Sequence, residues 1–170
     1  MTLGEFNALT YATAREALAS CCGASRWITE MNARRPFATT ENVFEAAEIV
    51  WNSLDVEDWL DAFHHHPRIG ETRSAAPQAD LGQRWSSSEQ SALSTTAQHV
   101  RIRLAERNRQ YEERFGFIYI VCATGKSADE MLAMAEERMH NSRDTELRVA
   151  AGEQGRITHL RLQKLLDVRV

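Results

Sequence analysis

Apolar residues recur along this chain at helical rather than strand spacing. Thr2 and Glu5 stand at the spacing of a capping box, with Phe6 and Leu9 following. An alanine-rich stretch from about Thr10 to Cys22 predicts a helix stopped by Gly23. Ser25 is placed to cap a short helix carrying Trp27, Ile28 and Met31, which ends before Pro36. Thr39 or Thr40 opens the next, where Val43, Phe44, Ala47, Val50, Trp51 and Leu54 repeat with the helical period. Asp55 begins another short helix through Trp59, Leu60 and Phe63. From Gly70 to about Ser86 the periodicity fails. A stretch this long without a pattern, inside a helical domain, is functional or disordered, and Trp85 near its end favours a loop that is pinned down.

Ser86-Ser87-Ser88-Glu89-Gln90 opens the longest periodic segment, with Leu93, Ala97, Val100, Leu104, Tyr111 and Phe115 in one stripe down to Gly116. Unbroken from Glu89 to Phe115, it would run roughly 40 Å at about 1.5 Å per residue. Then comes the single strand-like run, Phe117-Ile118-Tyr119-Ile120-Val121-Cys122-Ala123. No second run could pair with it, so a buried extended segment between helices is expected rather than a β-strand. Gly125 ends it, and Ser127 with Glu130 forms another capping box, ahead of a helix through Met131, Leu132, Met134, Ala135 and Met139. A final helix runs from near Asp144 towards Val168. The pattern predicts an all-α fold: a single-domain helical bundle over residues 1–170 with one short extended segment near 117–123.

Composition narrows the partners. The chain has 43% hydrophobic and 26% charged residues, as soluble globular proteins do. Its net charge of -4 and pI near 5.9 argue against nucleic acid. The first residues have neither a basic region nor an apolar core, and no apolar run could span a bilayer. Cys21, Cys22 and Cys122 are an odd number and read as reduced thiols of a cytoplasmic protein. Only Lys126 and Lys164 among twenty basic residues are lysine, so any Schiff-base chemistry would have to use one of two positions.

Three features carry candidate chemistry. His64, His65 and His66 are half of the histidines, and Pro67 follows them directly. Pro67 restricts the backbone of His66, so that ring is held at a helix end. It can serve as a general acid or base, or simply favour the negative end of the helix dipole. Consecutive helical residues point about 100° apart, so the three cannot converge on a metal. Glu89 sits three residues after Ser86, where it completes a capping box or meets a polar ligand at a helix N-terminus. Arg161 falls on an apolar stripe with Ile157, Leu165 and Val168, where it either snorkels or reaches into a pocket to pair with an anion.

Longer blocks resolve these open readings. Ala62-Phe63 with His66-Pro67-Arg68-Ile69-Gly70, followed by Ser86 to Gln90, resembles the OHCU decarboxylase family. So do the run from Arg114 to Ser127, Glu146-Leu147-Arg148, and Ile157-Thr158-His159-Leu160-Arg161-Leu162. The resemblance implies an all-helical, homodimeric, cofactor-free enzyme of urate degradation. It would convert 2-oxo-4-hydroxy-4-carboxy-5-ureidoimidazoline to (S)-allantoin and CO₂. His66 then corresponds to the catalytic histidine, Glu89 to its carboxylate partner and Arg161 to the residue that fixes the ligand. Pro67, Ser86 and Gln90 would contact the substrate, and Phe117, Ile118, Tyr119, Ile120 and Val121 would offer it backbone groups. His64 and His65 receive no role. The chain ends Val168-Arg169-Val170 rather than in a peroxisomal tripeptide, which implies the cytoplasm.

The chemistry matches what the residues lack. The substrate's carboxylate is on a carbon next to a C=N bond, so the electrons released with CO₂ flow into that imine. No pyridoxal, thiamine or metal is then needed. Two other classes remain: a helical module that binds a small ligand or partner without turnover, and a decarboxylase of another carboxylated heterocycle. A metal-binding regulator built on the triple histidine is a weaker rival.

Overall fold

The computed structural model describes residues 1–68 and 98–168. Within them run α1 (Leu3–Ala8), α2 (Tyr11–Cys21), α3 (Ser25–Ala33), α4 (Thr40–Ser53), α5 (Val56–His64), α6 (Gln98–Phe115), α7 (Ala128–Arg138) and α8 (Arg143–Leu165). The fold is all-α, with no strand among the described residues. The loop expected over 70–86 and the helix start at Ser86 lie outside them. No described helix is long and apolar enough to cross a membrane.

Local sequence signals set most helix starts. Closed capping boxes occur at Thr2–Glu5, Asp55–Asp58 and Ser127–Glu130, pairing donors that the helix itself leaves open. Thr10, Thr39 and Ser142 cap α2, α4 and α8. Ser25 departs from expectation. It is the first residue of α3 rather than its cap, and Ala24 at the cap position has no side-chain oxygen. The Ser25 N–H instead donates to Asp61 Oδ2 at 2.8 Å, so a carboxylate on α5 caps α3 across the fold. At its other end α8 stops at Leu165, short of the exposed Val168.

Helix α8 is the axis of the packing. It touches α2, α4, α5 and α6, while α6 lies along α7. Trp27, Phe63, Tyr111, Phe115, Met131 and Leu162 are among the largest fully buried side chains. Each such apolar side chain contributes about 1.5–3 kcal/mol. The buried indoles are satisfied as well as packed: Trp27 Nε1 donates to Ala47 O at 3.1 Å and Trp51 Nε1 to Ala151 O at 3.0 Å.

The 117–123 run is buried and extended without a ladder, as its isolation in the sequence implied. Gly116 (φ +79°) and Gly125 (φ +77°) bracket it in the left-handed region that favours glycine. Side chains from α7, α8 and the following turn fix its backbone. Cys122 N–H donates to Glu153 Oε2 at 2.7 Å, Arg138 Nη1 donates to Ile120 O at 2.9 Å, and Lys126 Nζ donates to Cys122 O at 2.8 Å. Arg138 also pairs with Glu146, which is wholly buried and accepts from Tyr111 OH and from Asn141 Nδ2 as well. A buried ion pair survives when its remaining lone pairs are filled in this way. Burial holds the Tyr111 phenol protonated and lifts that of Tyr119 to about 12.

Candidate active site

Helix α5 delivers the three histidines. Its last turn tightens, with His65 N–H donating to Ala62 O at 3.2 Å and His66 N–H to Phe63 O at 3.1 Å. Pro67 then prevents continuation. The three rings consequently diverge. His64 is exposed. His65 turns into the scaffold: its Nδ1 bonds to Asp61 O at 2.8 Å, and Gly23 abuts it so closely that a Cβ there would lie 2.4 Å from His65 Cβ. Gly23 therefore does more than follow the end of α2. It is not in the left-handed region; its missing side chain makes room for the α5 turn.

His66 faces α8, where Gln154 and Arg161 stand beside it. Burial, reinforced by the Arg161 guanidinium, pushes its imidazole down to about 3. The ring is thus a neutral base at physiological pH. Its Nε2 and the Oε1 of Gln154 are buried polar atoms without a hydrogen-bond partner at normal geometry among the described residues. Arg161 itself is 2% exposed, with Nη1 donating to Cys21 O at 3.5 Å. It reaches inward rather than snorkelling. Cys22, next to it, is wholly buried, and burial pushes its thiol up to about 11.

The extended segment adjoins this group. Phe63, on the turn that carries His66, packs at a tilt against Phe117 at 5.5 Å between ring centroids. Glu153 clamps Cys122 while its neighbour Gln154 faces His66, so consecutive residues of α8 join the segment to the histidine. Phe117, Tyr119, Ile120 and Val121 are buried, with Tyr119 OH donating to Met131 O at 3.1 Å. Their side chains are committed to the core; what the segment presents is main chain, together with the half-buried Ile118. Ser86, Glu89 and Gln90 lie outside the described residues. Gln154 and Glu153 escape a reading of the sequence, although the signal exists. Glu146, Glu153, Gln154, Thr158 and Arg161 place polar groups on the buried face of one helix, where apolar residues are the rule.

The arrangement offers a buried cation, a neutral imidazole and a rigid run of backbone amides. Such a site suits a small polar anion whose protons must be moved.

A groove of about 600 Å³ along α8, lined by Phe44, Trp51, Trp59 and His159 among others, includes neither His66 nor Arg161.

Comparison with known proteins gives the site a context. The uric acid degradation bifunctional protein TTL of Arabidopsis thaliana is 41% identical over 147 residues, which span 86% of this chain and 45% of that protein. The 2-oxo-4-hydroxy-4-carboxy-5-ureidoimidazoline decarboxylase of Haloferax volcanii is 28% identical, over 95% of this chain and 94% of the relative. The chain thus spans under half of the Arabidopsis relative and 33% of a bifunctional protein of Bacillus subtilis. A crystal structure of OHCU decarboxylase in the presence of (S)-allantoin superposes with a TM-score of 0.77 at 38% identity, covering 89% of this chain and 98% of that one. A crystal structure of (S)-allantoin synthase shares the fold at a TM-score of 0.70 and 17% identity, over 98% of this chain and 55% of that one. The OHCU decarboxylase model matches residues 7–163, and the chain belongs to that family.

Proposed function

We propose that this chain decarboxylates 2-oxo-4-hydroxy-4-carboxy-5-ureidoimidazoline to (S)-allantoin and CO₂ in urate degradation. The observation that carries this reading is the buried Arg161 on α8 beside His66, whose Nε2 is buried on the turn that Pro67 ends. Arg161 holds the anionic substrate, and His66 accepts the proton of the hydroxyl beside the departing carboxylate. The C–C bond electrons enter the ring imine as CO₂ leaves, and the imine nitrogen takes up a proton from solvent. The resulting enol becomes a ketone when its hydroxyl proton passes to His66 and a proton reaches the neighbouring ring carbon. Delivery to one face sets the (S) configuration. Glu89 orients His66, while Pro67, Ser86, Gln90 and the main chain of residues 117–121 contact the ring and ureido edges. Backbone amides on a clamped segment need no reorganisation when the substrate arrives, which favours its orientation. The chain acts as one domain, without a cofactor, as a homodimer in the cytoplasm. Its three buried thiols suit a reducing compartment.

The test generates the unstable substrate in situ from urate, with urate oxidase and hydroxyisourate hydrolase. The chain should accelerate its decay and yield (S)-allantoin, before and after exhaustive dialysis against chelator. Light scattering should return a dimer mass. Unaccelerated decay with racemic allantoin would overturn the reading.

A further inference from the structure

Buried backbone N–H and C=O groups are almost always paired. On one edge of the extended segment, fully charged side chains do the pairing. Arg138 Nη1 donates to Ile120 O at 2.9 Å, and Glu153 Oε2 accepts from Cys122 N–H at 2.7 Å. Both side chains are buried, and each is also held from a second direction, Arg138 by Glu146 and Glu153 by Arg156. Neutral side chains could satisfy Ile120 O and Cys122 N–H at a lower desolvation cost. What a charge adds is a bond about twice as strong. The two bonds fall on the two peptide units that flank Val121.

Both units are trans and planar, so the C=O and N–H of each point in opposite directions. The unit that gives its carbonyl to Arg138 therefore sends Val121 N–H the other way. The unit that gives its N–H to Glu153 does the same with Val121 O. In an extended residue both groups leave by one edge. Val121 is buried, and neither group has a hydrogen bond among the described residues. Linked hydrogen bonds polarise one another. A cation on Ile120 O makes Val121 N–H a stronger donor, and an anion on Cys122 N–H makes Val121 O a stronger acceptor. We propose that Arg138 and Glu153 are positioning residues, which fix and polarise the Val121 main chain as a donor–acceptor pair for an amide-type edge of the substrate. Such an edge carries N–H and C=O side by side, as ureido and lactam groups do. Arg138 is shared with the Glu146 core pair, so Glu153 is the half that can be perturbed alone.

The proposal rests on the main chain of 117–121 meeting the substrate, and one arm of its test needs no turnover. The probe is (S)-allantoin, which has both ureido and lactam edges. In ¹⁵N-labelled full-length protein, its titration should shift the Val121 amide proton downfield. Glu153→Gln keeps the size and an acceptor but removes the charge. It should move the Cys122 amide proton upfield and raise both KM and the allantoin Kd about tenfold, with kcat little changed. A merely structural Glu153 would lower Tm without this split between KM and kcat. Bound allantoin that leaves the Val121 amide unmoved would overturn the proposal. So would an unchanged KM in folded Glu153→Gln. If that variant fails to fold, the wild-type titration decides alone. If wild type lacks decarboxylase activity, the reading of the reaction fails, and the Val121 shift with the Kd of Glu153→Gln still decides this inference. Absence of allantoin binding to wild type would overturn it outright.

Discussion

Alanine at position 23 would test whether the site is held by the contact between the α2–α3 connection and the α5 turn. The added Cβ would lie 2.4 Å from His65 Cβ, 2.5 Å from Cγ and 2.8 Å from Nδ1. An ordinary contact begins near 3.4 Å, so something must yield by about 1 Å. The His65 ring has little freedom to do so, because Nδ1 is bonded to Asp61 O and its Cβ is close to backbone. The displacement therefore passes to residues 65 and 66. Overpacking of this kind costs about 1–3 kcal/mol, which for a chain of this size lowers Tm by roughly 2–12 °C. A misplacement of about 1 Å at a reacting group costs on the order of 10² in rate. Gly23→Ala should thus lose kcat/KM by about that factor at temperatures well below its Tm. Gly152→Ala is the matched control. Nothing lies within 4 Å of its added Cβ, and alanine is favoured over glycine in a helix by about 1 kcal/mol, so Tm should hold or rise. The measurements are thermal melts and steady-state kinetics with substrate generated in situ. Wild-type Tm and kcat/KM in Gly23→Ala would refute the argument, since neither the clash nor its transmission to His66 could then be real.

The same geometry governs four other perturbations. His66→Asn should lower kcat on the order of 10²–10⁴, and His64→Asn should stay near wild type, because only one ring faces α8; equal small losses would remove the special role of His66. Arg161→Lys keeps a charge but loses the planar fork, so kcat/KM should fall while Tm holds, and an unchanged kcat/KM would make Arg161 structural. Glu146→Ala strips Arg138 of its buried counter-charge and should cost about 3–5 kcal/mol by urea denaturation; a loss under about 1 kcal/mol would contradict the pairing. His66 also predicts a pH dependence: its pKa is near 6.5 unfolded and about 3 folded, so the unfolded chain binds the extra proton and stability declines as pH falls through that window. The slope from this group is at most about 1.4 kcal/mol per pH unit, and an identical slope in His66→Asn would sink the assignment.

Features that depend on near neighbours in the chain are legible in the sequence alone. The Asp55 and Ser127 caps are short-range oxygen-to-amide bonds, and the sequence displays both partners. The extended 117–123 segment is legible by exclusion, since a lone strand-like run has nothing to pair with. Ser25 misleads because a favourable cap residue says nothing about a competing carboxylate; Asp61 reaches that amide only once α3 and α5 have packed. Gly23 misleads in a related way, for its use as vacant space beside His65 depends on two remote segments meeting. Arg161 is visible as a cation on an apolar stripe, but its inward direction depends on what α2 brings to it. Gln154 carries no motif at all. It draws notice only when the pattern of α8 is read for polar residues on the buried face.

Arg138's counter-ion, the clamp on residue 122, the amide beside His66 and the inward-reaching cation are Glu146, Glu153, Gln154 and Arg161, all on α8. Their mutual spacing is that of an uninterrupted helix, with no loop to absorb a change of length. One inserted or deleted residue between 146 and 161 would rotate everything beyond it by about 100° and shift it by about 1.5 Å. The core pair and the residues beside His66 would then no longer face their partners together. Point substitutions along this stretch can be repaired one at a time, whereas a change of length cannot. Insertions and deletions in related chains should therefore fall in the connections between helices, with the interval from Glu146 to Arg161 keeping its length.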